Sequence, residues 1–513
     1  MEDQQYPQSR GLNIATLKSE DVTGASYSQL ARKDRLRVLQ QLHKSWFSNI
    51  RMDVLAGITV ALALIPEAIA FSLMAGVDPT VGLHASFCIA VVISIFGGRP
   101  GMISAATGAM ALIMVSLVAE HGLEYLLAAT ILTGMIQFVL GVLRFGRFLS
   151  FIPHPVIVGF LNALGILIFT TQLTHFQGAS WVMYAMVAAT IAIIYLLPRY
   201  TKAIPSALVA IVVMSVIAIA GGLELKTVQD VGAIATTLPI FHLPLIEWTL
   251  ETLWIILPYS LSLAVVGILE SLLTATILDE MTDTKSDKNV EVRGQGIANT
   301  VNGFFGGMAG CAMIGQSLVN IKSGGRSRLS TMTAGVFLLF LILVMGDIVA
   351  QIPMGALVGV MITIAIATFD VSSLKTLHKA PVADTFVMLA TVGVVLYTHN
   401  LALGVLVGIL ISAVIFGWRI ARISAESQLE QSGVKRYVIR GQMFFGTMSH
   451  FGELFDPAGD PERVIIDFKA SHVWDHSAVT AISKVVGRYE QAGTKVEITG
   501  LNEESRRLVE RLT

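Results

Sequence analysis

The charged side chains of this chain are concentrated at its two ends. Residues 52–433 hold 36 of them in 382 positions, or roughly 9%, whereas residues 434–513 hold 22 in 80 positions. A typical soluble domain has about 25% charged residues. A long apolar middle region between two polar ends excludes a disordered chain and argues against a soluble enzyme. The net charge of −1 provides no attraction to polyanions, so no nucleic acid partner is expected.

The apolar runs of the middle region predict membrane-spanning helices. They are long and lack the alternation of strands, and lipid offers no hydrogen-bond partner to open backbone. Several runs are too short to cross the hydrocarbon layer of about 30 Å alone. The fourteen predicted spans are 53–75, 80–97, 104–119, 124–143, 152–174, 181–197, 205–221, 253–279, 296–308, 311–320, 330–350, 354–369, 383–398 and 401–418.

Charges between the predicted spans give the orientation. Acidic loops, such as Glu120–Glu124 and Glu247–Glu251, are expected on the side opposite the basic ones. Basic loops face the cytoplasm, so both termini are predicted there, as an even number of spans requires. The basic loop residues are Arg144, Arg147, Arg199, Lys202, Lys285, Lys288, Arg293, Lys375, Lys379, Arg419 and Arg422.

The polar N-terminal region lacks an early apolar core followed by a small-residue cleavage site, so no cleaved signal peptide is expected. Its basic stretch predicts either a segment lying on lipid headgroups or a solvated tail. The residues of this stretch are Arg32, Lys33, Arg35, Arg37, Lys44 and Trp46.

Two short Gly-rich segments occupy matching places among the predicted spans. Residues 97–101 precede the third span and residues 306–310 precede the tenth, and small residues follow each. One such segment alone is explained as well by close packing of helices through small side chains. A matched pair in two sets of seven spans is typical of an inverted repeat with broken helices. The N-terminus of a broken helix offers unpaired N–H groups and partial positive charge, so the pair predicts an anion site in mid-membrane.

Three stretches of the sequence resemble one known family, the SulP anion permeases or sulfate permeases. Residues 53–71, DVLAGITVALALIPEAIAF, are similar to the first-span signature of that family. Residues 269–300 resemble its eighth span with the following loop, and residues 319–330 resemble the stretch after its tenth span. The likeness is greatest to the bicarbonate-transporting branch of cyanobacteria, and it extends from about residue 50 to the end of the chain.

The resemblance implies the fold class. This is an all-α polytopic membrane domain of about fourteen spans in a seven-plus-seven inverted repeat, followed by a small cytoplasmic α/β STAS domain. In the family, a core of spans one to four and eight to eleven moves against a gate of the other spans. The substrate lies between half-helices three and ten, and a homodimer is expected. By position, the substrate-binding residues are Thr107, Gly108, Ala109, Ala312, Met313 and Ile314.

Two carboxyl groups, Glu67 and Glu270, lie inside predicted spans. A charge at mid-bilayer costs at least about 2.5 to 3.5 kcal/mol, so such a group normally faces a cavity or a partner. Each is interpreted as a coupling group that binds a proton or Na⁺, with a protonated structural role as the alternative. By resemblance, Glu270 and Thr274 match a cation-binding Asp and Thr of the bicarbonate branch, so Na⁺ at these two residues is the candidate metal site.

The sequence departs from the family at two of these positions. Glu270 replaces the Asp, which leaves Na⁺ and H⁺ both open as the coupling ion. Gln316 stands where many animal members carry Arg, so a fixed cation at the substrate is missing. No cofactor is expected, apart from Na⁺ or H⁺ as the coupling ion.

The tail reads as the STAS domain that the resemblance implies. Strands are predicted at Tyr437–Phe445, Arg463–Phe468 and Lys495–Thr499, with a helix between the last two and another beginning at Asn502. Ser477 matches the phosphorylated position of regulatory STAS domains, but its neighbours depart from that pattern, so it is interpreted as a helix N-cap. The predicted regions are a cytoplasmic segment 1–51, a transport domain 52–421, a helix-like linker 422–433 and a STAS domain 434–513.

Together these observations predict a secondary active importer of a small oxyanion, bicarbonate or sulfate, in the cell membrane, coupled to Na⁺ or H⁺ symport. The alternative within transport is a proton-coupled dicarboxylate carrier. Alternatives of another class are an anion channel or exchanger, and a sensor that signals through the tail. The sequence shows no nucleophile–base pair or phosphate loop, so an enzyme is not expected. Replacing Ala312 by Phe is expected to block transport while leaving folding intact.

Overall fold

The computed structural model describes residues 45–146, 152–201, 205–223, 225–232, 237–430 and 433–512. Seven basic residues used above to predict orientation or a membrane-surface segment lie outside the described residues. They are Arg32, Lys33, Arg35, Arg37, Lys44, Arg147 and Lys202.

Each of the fourteen predicted spans coincides with a helix. A further short helix, α13 (Val371–Thr376), follows the twelfth. The helices of the first set are α1 (Ile50–Ala75), α2 (Pro79–Phe96), α3 (Gly108–His121), α4 (Leu123–Val142), α5 (His154–Gln172), α6 (Trp181–Leu196) and α7 (Ser206–Ala220). The helices of the second set are α8 (Leu250–Thr282), α9 (Lys288–Phe304), α10 (Ile314–Lys322), α11 (Arg328–Ala350), α12 (Met354–Thr368), α14 (Val382–Thr398) and α15 (Leu401–Ile420).

Length and composition support membrane crossing for most of these helices. Nine helical stretches of the described residues are long and apolar enough to span, namely α1, α2, α4, α8, α11 and α15, and also α5, α6 and α12 when each is counted with the helical turns that follow it, to Phe176, Arg199 and Thr376. Three more, α3, α7 and α14, are apolar but shorter. Helices α9 and α10 are the polar exceptions.

Helix α9 corrects the prediction for the loop before the ninth span. Lys288 and Arg293, expected in that loop, lie in the helix itself, which begins eight residues before the predicted position 296. The reason is a strong N-cap, because the Asp287 side chain accepts hydrogen bonds from the N–H groups of Asn289 and Val290.

The two sets of helices pack in swapped pairs. Helix α1 packs on α11, while α8, its equivalent in the second set, packs on α4. Likewise α2 packs on α11, and its equivalent α9 packs on α4. Exchanging each helix with its equivalent exchanges these contacts, as a two-fold internal repeat requires. The predicted fold class is therefore confirmed for the core helices.

The described helices form two compact units that differ from the expected core and gate. The first unit contains the whole predicted core, but it also contains α6 and α7, which the family resemblance assigns to the gate. Part of the reason is local packing, because Gly355 in the first half of α12 lies against Met186 of α6. In the second unit, α14 packs on both α5 and α15. The described parts of residues 1–147 and 179–360 form the first unit, and those of 148–178 and 361–513 form the second.

The C-terminal part of the second unit is built on a four-stranded sheet. Strand β3 pairs antiparallel with β4, while β4 and β5, and β5 and β6, pair in parallel. Apolar side chains of the sheet, of α16 and of α17 form one core, which includes Phe451, Phe468 and Tyr489. The elements after the membrane helices are β3 (Ser424–Leu429), β4 (Lys435–Met443), α16 (Met448–Glu453), β5 (Arg463–Val473), α17 (His476–Gln491), β6 (Lys495–Thr499) and α18 (Glu503–Leu512).

Two predictions for the tail are wrong in detail. Residues 424–429 of the expected helix-like linker form β3, because their backbone pairs along β4 from Ser424↔Arg440 to Leu429↔Lys435. Ser477 lies inside α17, and the N-cap is Asp475, whose side chain accepts a hydrogen bond from the N–H of Ala478 at 2.9 Å.

Candidate anion site between two broken helices

A short ribbon of two strands joins the halves of the core at its centre. Strand β1 (Ser104–Ala106) precedes α3, strand β2 (Gly310–Ala312) precedes α10, and the two pair antiparallel with Ala105 opposite Cys311. Gly310 permits the pairing, because a Cβ there would come within 2.1 Å of the Ala105 carbonyl oxygen. Antiparallel pairing sends α3 and α10 away from the ribbon in opposite directions, with both N-termini at the ribbon.

Both half-helices begin with backbone N–H groups that have no intrahelical acceptor. The first intrahelical bonds run from the N–H of Ala111 to the Thr107 carbonyl and from the N–H of Ser317 to the Met313 carbonyl. The N–H groups of residues 108–110 and 314–316 therefore precede the first helical bond. Within the described residues, neither N-cap, Thr107 or Met313, makes a side-chain capping bond. Two uncapped N-termini in the middle of the core are the arrangement that the predicted anion site requires.

Side-chain amides of α9 hold the second strand in place. Asn299 binds Gly310 on both sides, accepting from its N–H at 2.9 Å and donating to its carbonyl at 3.0 Å. Gln295 donates to the same carbonyl at 2.9 Å, and Asn299 donates to Gln137 of α4 at 2.9 Å. All of these amides are fully buried. The break before α10 is thus fixed by a polar network, not by strand pairing alone.

Serine hydroxyls fix the far side of the ribbon. The N–H of Ala312 donates to Ser271 Oγ at 3.1 Å, and the N–H of Ile103 donates to Ser317 Oγ at 3.0 Å. The N–H of Met313 donates to the Ile103 carbonyl at 2.9 Å. The predicted contacts Ala312 and Met313 therefore use their own N–H groups in the scaffold, and the donors left for an anion begin at Ile314.

The six predicted substrate residues are brought together, with different exposures. Thr107, Ala109 and Ala312 are 5%, 1% and 2% exposed, and Gly108 is also buried. Met313 and Ile314 are half-buried. Next to them Gly315 is exposed, and an added Cβ would meet no atom of the described structure within 4 Å. The start of α10 is therefore the accessible side of the cradle.

Ala312 is a packing residue as well as a neighbour of the site. Its side chain belongs to a buried cluster with Met102, Ala275, Leu278 and Ile321. A Phe side chain there would have to displace this cluster, at a typical cost of about 1 to 3 kcal/mol. The expectation that Ala312→Phe leaves folding intact is not supported by this packing, and Gly315 is the better position for a steric probe.

Glu270 reaches the ribbon through Cys311. The Cys311 thiol donates to Glu270 Oε2 at 2.7 Å, and Thr107 Oγ1 lies 3.2 Å from the same sulfur. A thiol has one proton to donate, so the Thr107 hydroxyl is the donor to the sulfur in this arrangement. A chain of two hydrogen bonds thus connects the N-cap of α3 to the carboxyl of α8.

Glu67 reaches the start of α10 through Gln316. The carboxamide of Gln316 donates through Nε2 to Glu67 Oε1 at 2.7 Å. Gln316 is 5% exposed, and its Oε1 has no hydrogen-bond partner among the described residues. Both intramembrane carboxyls therefore bind the segment from β2 into α10, whereas neither binds α3 directly.

Thr274, the predicted partner of Glu270, lies one helical turn further along α8. Its hydroxyl donates to the backbone carbonyl of Glu270 at 2.7 Å, and its oxygen keeps lone pairs for another contact. Among the described residues no group of three or more His, Cys, Asp or Glu side chains could hold a metal ion. A sodium ion here would therefore use the Glu270 carboxylate, the Thr274 hydroxyl and further neutral oxygens.

Two more carboxylates are fully buried, at the ends of the core helices. Asp53 of α1 accepts from the N–H groups of Arg326 and Ser327 at 2.7 and 3.0 Å. Glu291 of α9 accepts from the N–H groups of Gly98 and Arg99 at 2.7 and 3.0 Å. Sequence reasoning placed them among ordinary charges at span ends. They fix the segments that enter α11 and leave α2.

Comparison with known proteins agrees with this geometry. Residues 50–200 and 174–391 match the sulfate permease family, and residues 428–513 match the STAS domain. The chain belongs to the sulfate permease family. A putative sulfate transporter of Bacillus subtilis, YbaR, is 57% identical over 471 residues, which cover 92% of this chain and 98% of that protein.

More distant matches to this permease include a protein named for another anion and a solved structure. The bicarbonate transporter BicA of a Picosynechococcus strain is 28% identical over 532 residues, covering 92% of this chain and 93% of that protein. The solved structure of SLC26A9 matches with a TM-score of 0.81 at 18% identity, covering 98% of this chain and 94% of that one. This structural likeness supports the fold. The permease is thus a membrane protein from a family of sulfate and bicarbonate transporters, not of enzymes.

Sequence reasoning about this permease missed the residues that hold the ribbon. The amides Gln295 and Asn299 are one helical turn apart in the predicted ninth-span region, a spacing that places both on one face of α9. Amide side chains that a membrane helix buries require hydrogen-bond partners, so this signal was available. Cys311 carried no such signal, because buried cysteines are common as small apolar residues.

Proposed function

We propose that this permease is a secondary active transporter of a small oxyanion, bicarbonate or sulfate, across the cell membrane. The observation that carries the proposal is the pair of uncapped helix N-termini at the β1–β2 ribbon, flanked by the carboxyls of Glu67 and Glu270. A channel or a sensor would need the anion cradle, but it would not need two carboxyls bonded to the same broken helix.

Charge balance is the physical reason for coupling. Each helix N-terminus contributes about half a positive charge, and Gln316 contributes none. Two ionised carboxyls near an anion would leave the site strongly negative in a low-dielectric medium. A co-transported cation at Glu270, or a proton at Glu67, compensates this charge and makes anion uptake depend on the gradient of that ion. The coupling ion, Na⁺ or H⁺, is therefore transported together with the anion.

The proposal assigns a role to each candidate residue. The backbone of Thr107, Gly108 and Ala109 forms one wall of the cradle. The backbone of Met313 and Ile314 forms the other, and Ala312 keeps that wall narrow. Glu270 and Thr274 are the proposed site for Na⁺, whereas Glu67 is the proposed site for a proton, because a proton needs one carboxyl and Na⁺ needs several oxygens.

Alternating access, a cell-membrane location, cytoplasmic termini and a homodimer are further parts of the proposal. They rest on family membership and on the basic residues between the helices. Labelling of single cysteines introduced at residues 200 and 250 from either side of intact cells tests the orientation. Mass measurement of the purified protein in detergent tests the dimer.

The experiment that tests transport uses the purified full-length protein in liposomes. Uptake of labelled bicarbonate, sulfate and succinate is measured with a Na⁺ gradient, a pH gradient or neither. Accumulation of bicarbonate or sulfate above equilibrium under one gradient supports the proposal. Preference for succinate would favour a dicarboxylate carrier instead. Anion flux that never exceeds its own gradient would identify a channel or exchanger, and binding without flux would identify a sensor.

A steric probe at Gly315 tests the place of the cradle. Gly315→Leu points a side chain into open space, so the protein should express and fold like the wild type. Uptake should fall at least about tenfold, because the added side chain covers the N–H groups at the start of α10. Gly393→Leu is the matched control, since Gly393 also has open space around its Cβ position and lies on α14 of the second unit, whereas the ribbon belongs to the first unit. Wild-type uptake in Gly315→Leu would remove α10 from the site.

A further inference from the structure

The carboxamide of Gln316 stands between Glu67 and the start of α10. Its Nε2 donates to Glu67 Oε1 at 2.7 Å, while its Oε1 is buried and has no partner among the described residues. The two atoms of an amide diverge by roughly 120°, so Oε1 points away from the carboxyl. Gln316 is the third residue of α10, and helical side chains lean towards the N-terminus of their helix. The free end of the amide therefore lies at the first turn of α10, whose N–H groups form one side of the proposed anion cradle.

The observed orientation of the amide suits an ionised Glu67. A carboxylate only accepts hydrogen bonds, so it binds the NH₂ end of Gln316 and leaves the oxygen end for the cradle. A protonated Glu67 can donate its O–H to Gln316 Oε1 when the amide turns over. The two orientations have nearly the same shape, so the turn needs no repacking of the neighbours.

We propose that Gln316 turns its carboxamide with the protonation state of Glu67 and thereby couples proton binding to anion binding. With Glu67 ionised, an oxygen lone pair faces the cradle and disfavours an anion. With Glu67 protonated, the NH₂ group faces the cradle and donates to the anion. Proton and anion then bind cooperatively, each raising the affinity for the other by the same factor.

The step is balanced in charge and protons. One proton passes from water to the Glu67 carboxylate, and one anion enters from the same side. Release on the other side returns the proton to water and turns the amide back. Gln316 gains and loses no proton, so it acts as a positioning residue between two sites.

Other charged and titratable groups lie on α1 and on the elements that pack against α1 or α10. None of the ion pairs among the described residues includes Glu67. Helix α1 packs against α2, α3, α7, α10, α11 and β1, and α10 also packs against α8. The groups on these elements are Arg51, Asp53, His84, Cys88, Glu120, His121, Glu251, Tyr259, Glu270, Asp279, Glu280, Lys322, Arg328 and Asp347.

The groups in this set whose partners are described bind atoms other than those of the Glu67 carboxyl. Arg328 donates to the carbonyls of Ser94 and Gly97 at the end of α2. Asp53 binds the segment before α11, and His84 contacts the carbonyl of Thr237 at 3.1 Å. Gln316 is thus the side chain that the structure places on the Glu67 carboxyl.

This inference rests on the proposed transport function, and its test separates the two. The probes are labelled sulfate and labelled hydrogencarbonate, and the concentration of the ionised anion is varied over the same range at each pH. Half-saturation (KM) and maximal uptake are measured between pH 5.5 and 8.5 for the full-length protein in liposomes. For the transported anion, the wild-type KM should rise with pH, approaching about tenfold per pH unit, the limit for one linked proton. The maximal rate should change much less.

The decisive variant is Gln316→Met, which keeps the size and flexibility of the side chain and removes the amide. Its KM at low pH should be about two- to tenfold above that of the wild type, the range for one lost hydrogen bond. The dependence of its KM on pH should fall to less than half of the wild-type slope. Gln351→Met is the matched control, since Gln351 is an exposed residue at the end of α11, and it should keep the wild-type slope.

A direct effect of the Glu67 charge would give a different result. In that case Gln316→Met would keep more than half of the wild-type slope, and the inference would be wrong while transport remained. A wild-type KM that is constant with pH would also overturn it. Absence of accumulation in the wild type under every gradient would instead reject the proposed function.

A second variant provides the same test if Gln316→Met is poorly expressed. Gln316→Asn keeps an amide but is one methylene shorter, so it cannot reach Glu67 and the cradle together. Its pH slope should also fall below half. Glu67→Gln should bind the anion with the high affinity of the wild type at low pH, and this affinity should hold at every pH.

Discussion

Carboxyl groups buried in the membrane core and in the C-terminal sheet have different partners. Glu67 and Glu270 bind neutral donors, the Gln316 amide and the Cys311 thiol. Asp460, before β5, accepts from Lys435 at 2.5 Å and from the hydroxyls of two tyrosines of the same core, Tyr437 and Tyr489. All three carboxyls lie inside protein, but only the one in the sheet domain has a lysine beside it.

This difference in partners distinguishes the two carboxyls that are proposed to exchange a cation from Asp460, which stays paired with Lys435. Burial alone would raise the pKa of Asp460, but hydrogen bonds from Lys435, Tyr489 and Tyr437 outweigh it, so this pKa lies below its usual value. The hydrogen bond to Asp460 in turn raises the pKa of Lys435. The pair therefore stays ionised, whereas a carboxyl with neutral partners gains most from a proton or a metal ion that arrives from water.

The largest effect is expected from Glu270→Gln. A neutral amide at this position cannot hold Na⁺ or give up a proton, so accumulation of bicarbonate or sulfate under a gradient should be lost entirely. The measurement is uptake into liposomes with and without Na⁺ and pH gradients.

Glu280→Gln is the control for this variant, because Glu280 is an exposed carboxyl on the same helix. It should transport like the wild type. If Glu270→Gln accumulates anion normally, Glu270 is a structural group like Asp460 and the comparison fails.

Asp460→Asn should destabilise the sheet domain by about 2 to 3 kcal/mol, because Lys435 and two tyrosine hydroxyls lose an ionised acceptor whose side chain is fully buried. Hydrogen exchange at the amides of β4 and β5 in the full-length protein measures this loss. Glu426→Gln is the control, since its ion pair with Arg440 is more than half exposed on both sides, and it should cost less than about 1 kcal/mol. Equal effects of the two changes would show that the Asp460 pair is no stronger than a surface pair.

The lowered pKa of Asp460 also predicts a direction with pH. The unfolded chain has an ordinary carboxyl pKa of about 3.9, so the stabilisation is complete above about pH 4. It is lost as the pH falls through the lower pKa of the folded state. The difference in exchange protection between wild type and Asp460→Asn should therefore shrink below pH 4, after correction for intrinsic exchange. A difference that grows in acid would contradict this sign.

Cys311→Ala removes the donor to Glu270 and should weaken coupling by about 1.5 kcal/mol, or roughly tenfold in the accumulation ratio. Cys311→Ser keeps a donor and should recover most of this loss. The chain offers a matched control in Cys88, another buried free thiol, whose change to Ala should leave coupling unaltered. A Cys311→Ala protein that couples normally would show that the thiol only fills space.

The smallest effect is expected from Thr107→Val, which keeps the shape of the N-cap of α3 and removes its hydroxyl. The loss corresponds to about 0.5 to 1.5 kcal/mol in anion affinity, since the backbone donors remain. The half-saturation concentration for uptake at constant pH measures it. A larger loss than that of Cys311→Ala would place the Thr107 hydroxyl directly on the anion.

Much of the fold followed from patterns in the sequence. Apolar runs located the helices, and the paired Gly-rich segments 97–101 and 306–310 located both broken helices, since backbone breaks need small residues. The match to the first-span stretch identified the family. The helix break at β1–β2 was expected, but the pairing of Ala105 with Cys311 was not, because nothing local indicates which distant strand a three-residue segment joins.

The site was predicted less completely than the fold. Glu67 and Glu270 were conspicuous as charges within apolar runs, and their helices were correctly placed. Their partners were not predictable, because Gln316 and Cys311 reach them only through tertiary packing. The helix-like reading of residues 424–429 failed for a similar reason, since the partner strand β4 decides the conformation of that segment.

The ribbon has a consequence for how the protein is made. Its two strands lie about 200 residues apart along the chain, so the proposed cradle cannot form until the first part of the second repeat, from α8 to α10, has left the ribosome. At typical synthesis rates, roughly 10 to 40 seconds pass between the appearance of β1 and that of β2. During this interval the start of α3 waits in the membrane without its partner strand, and the amide of Ala105 must be shielded by other means. Because β2 and α10 are synthesised long after β1, the proposed anion site of this permease can form only after α10 has been made.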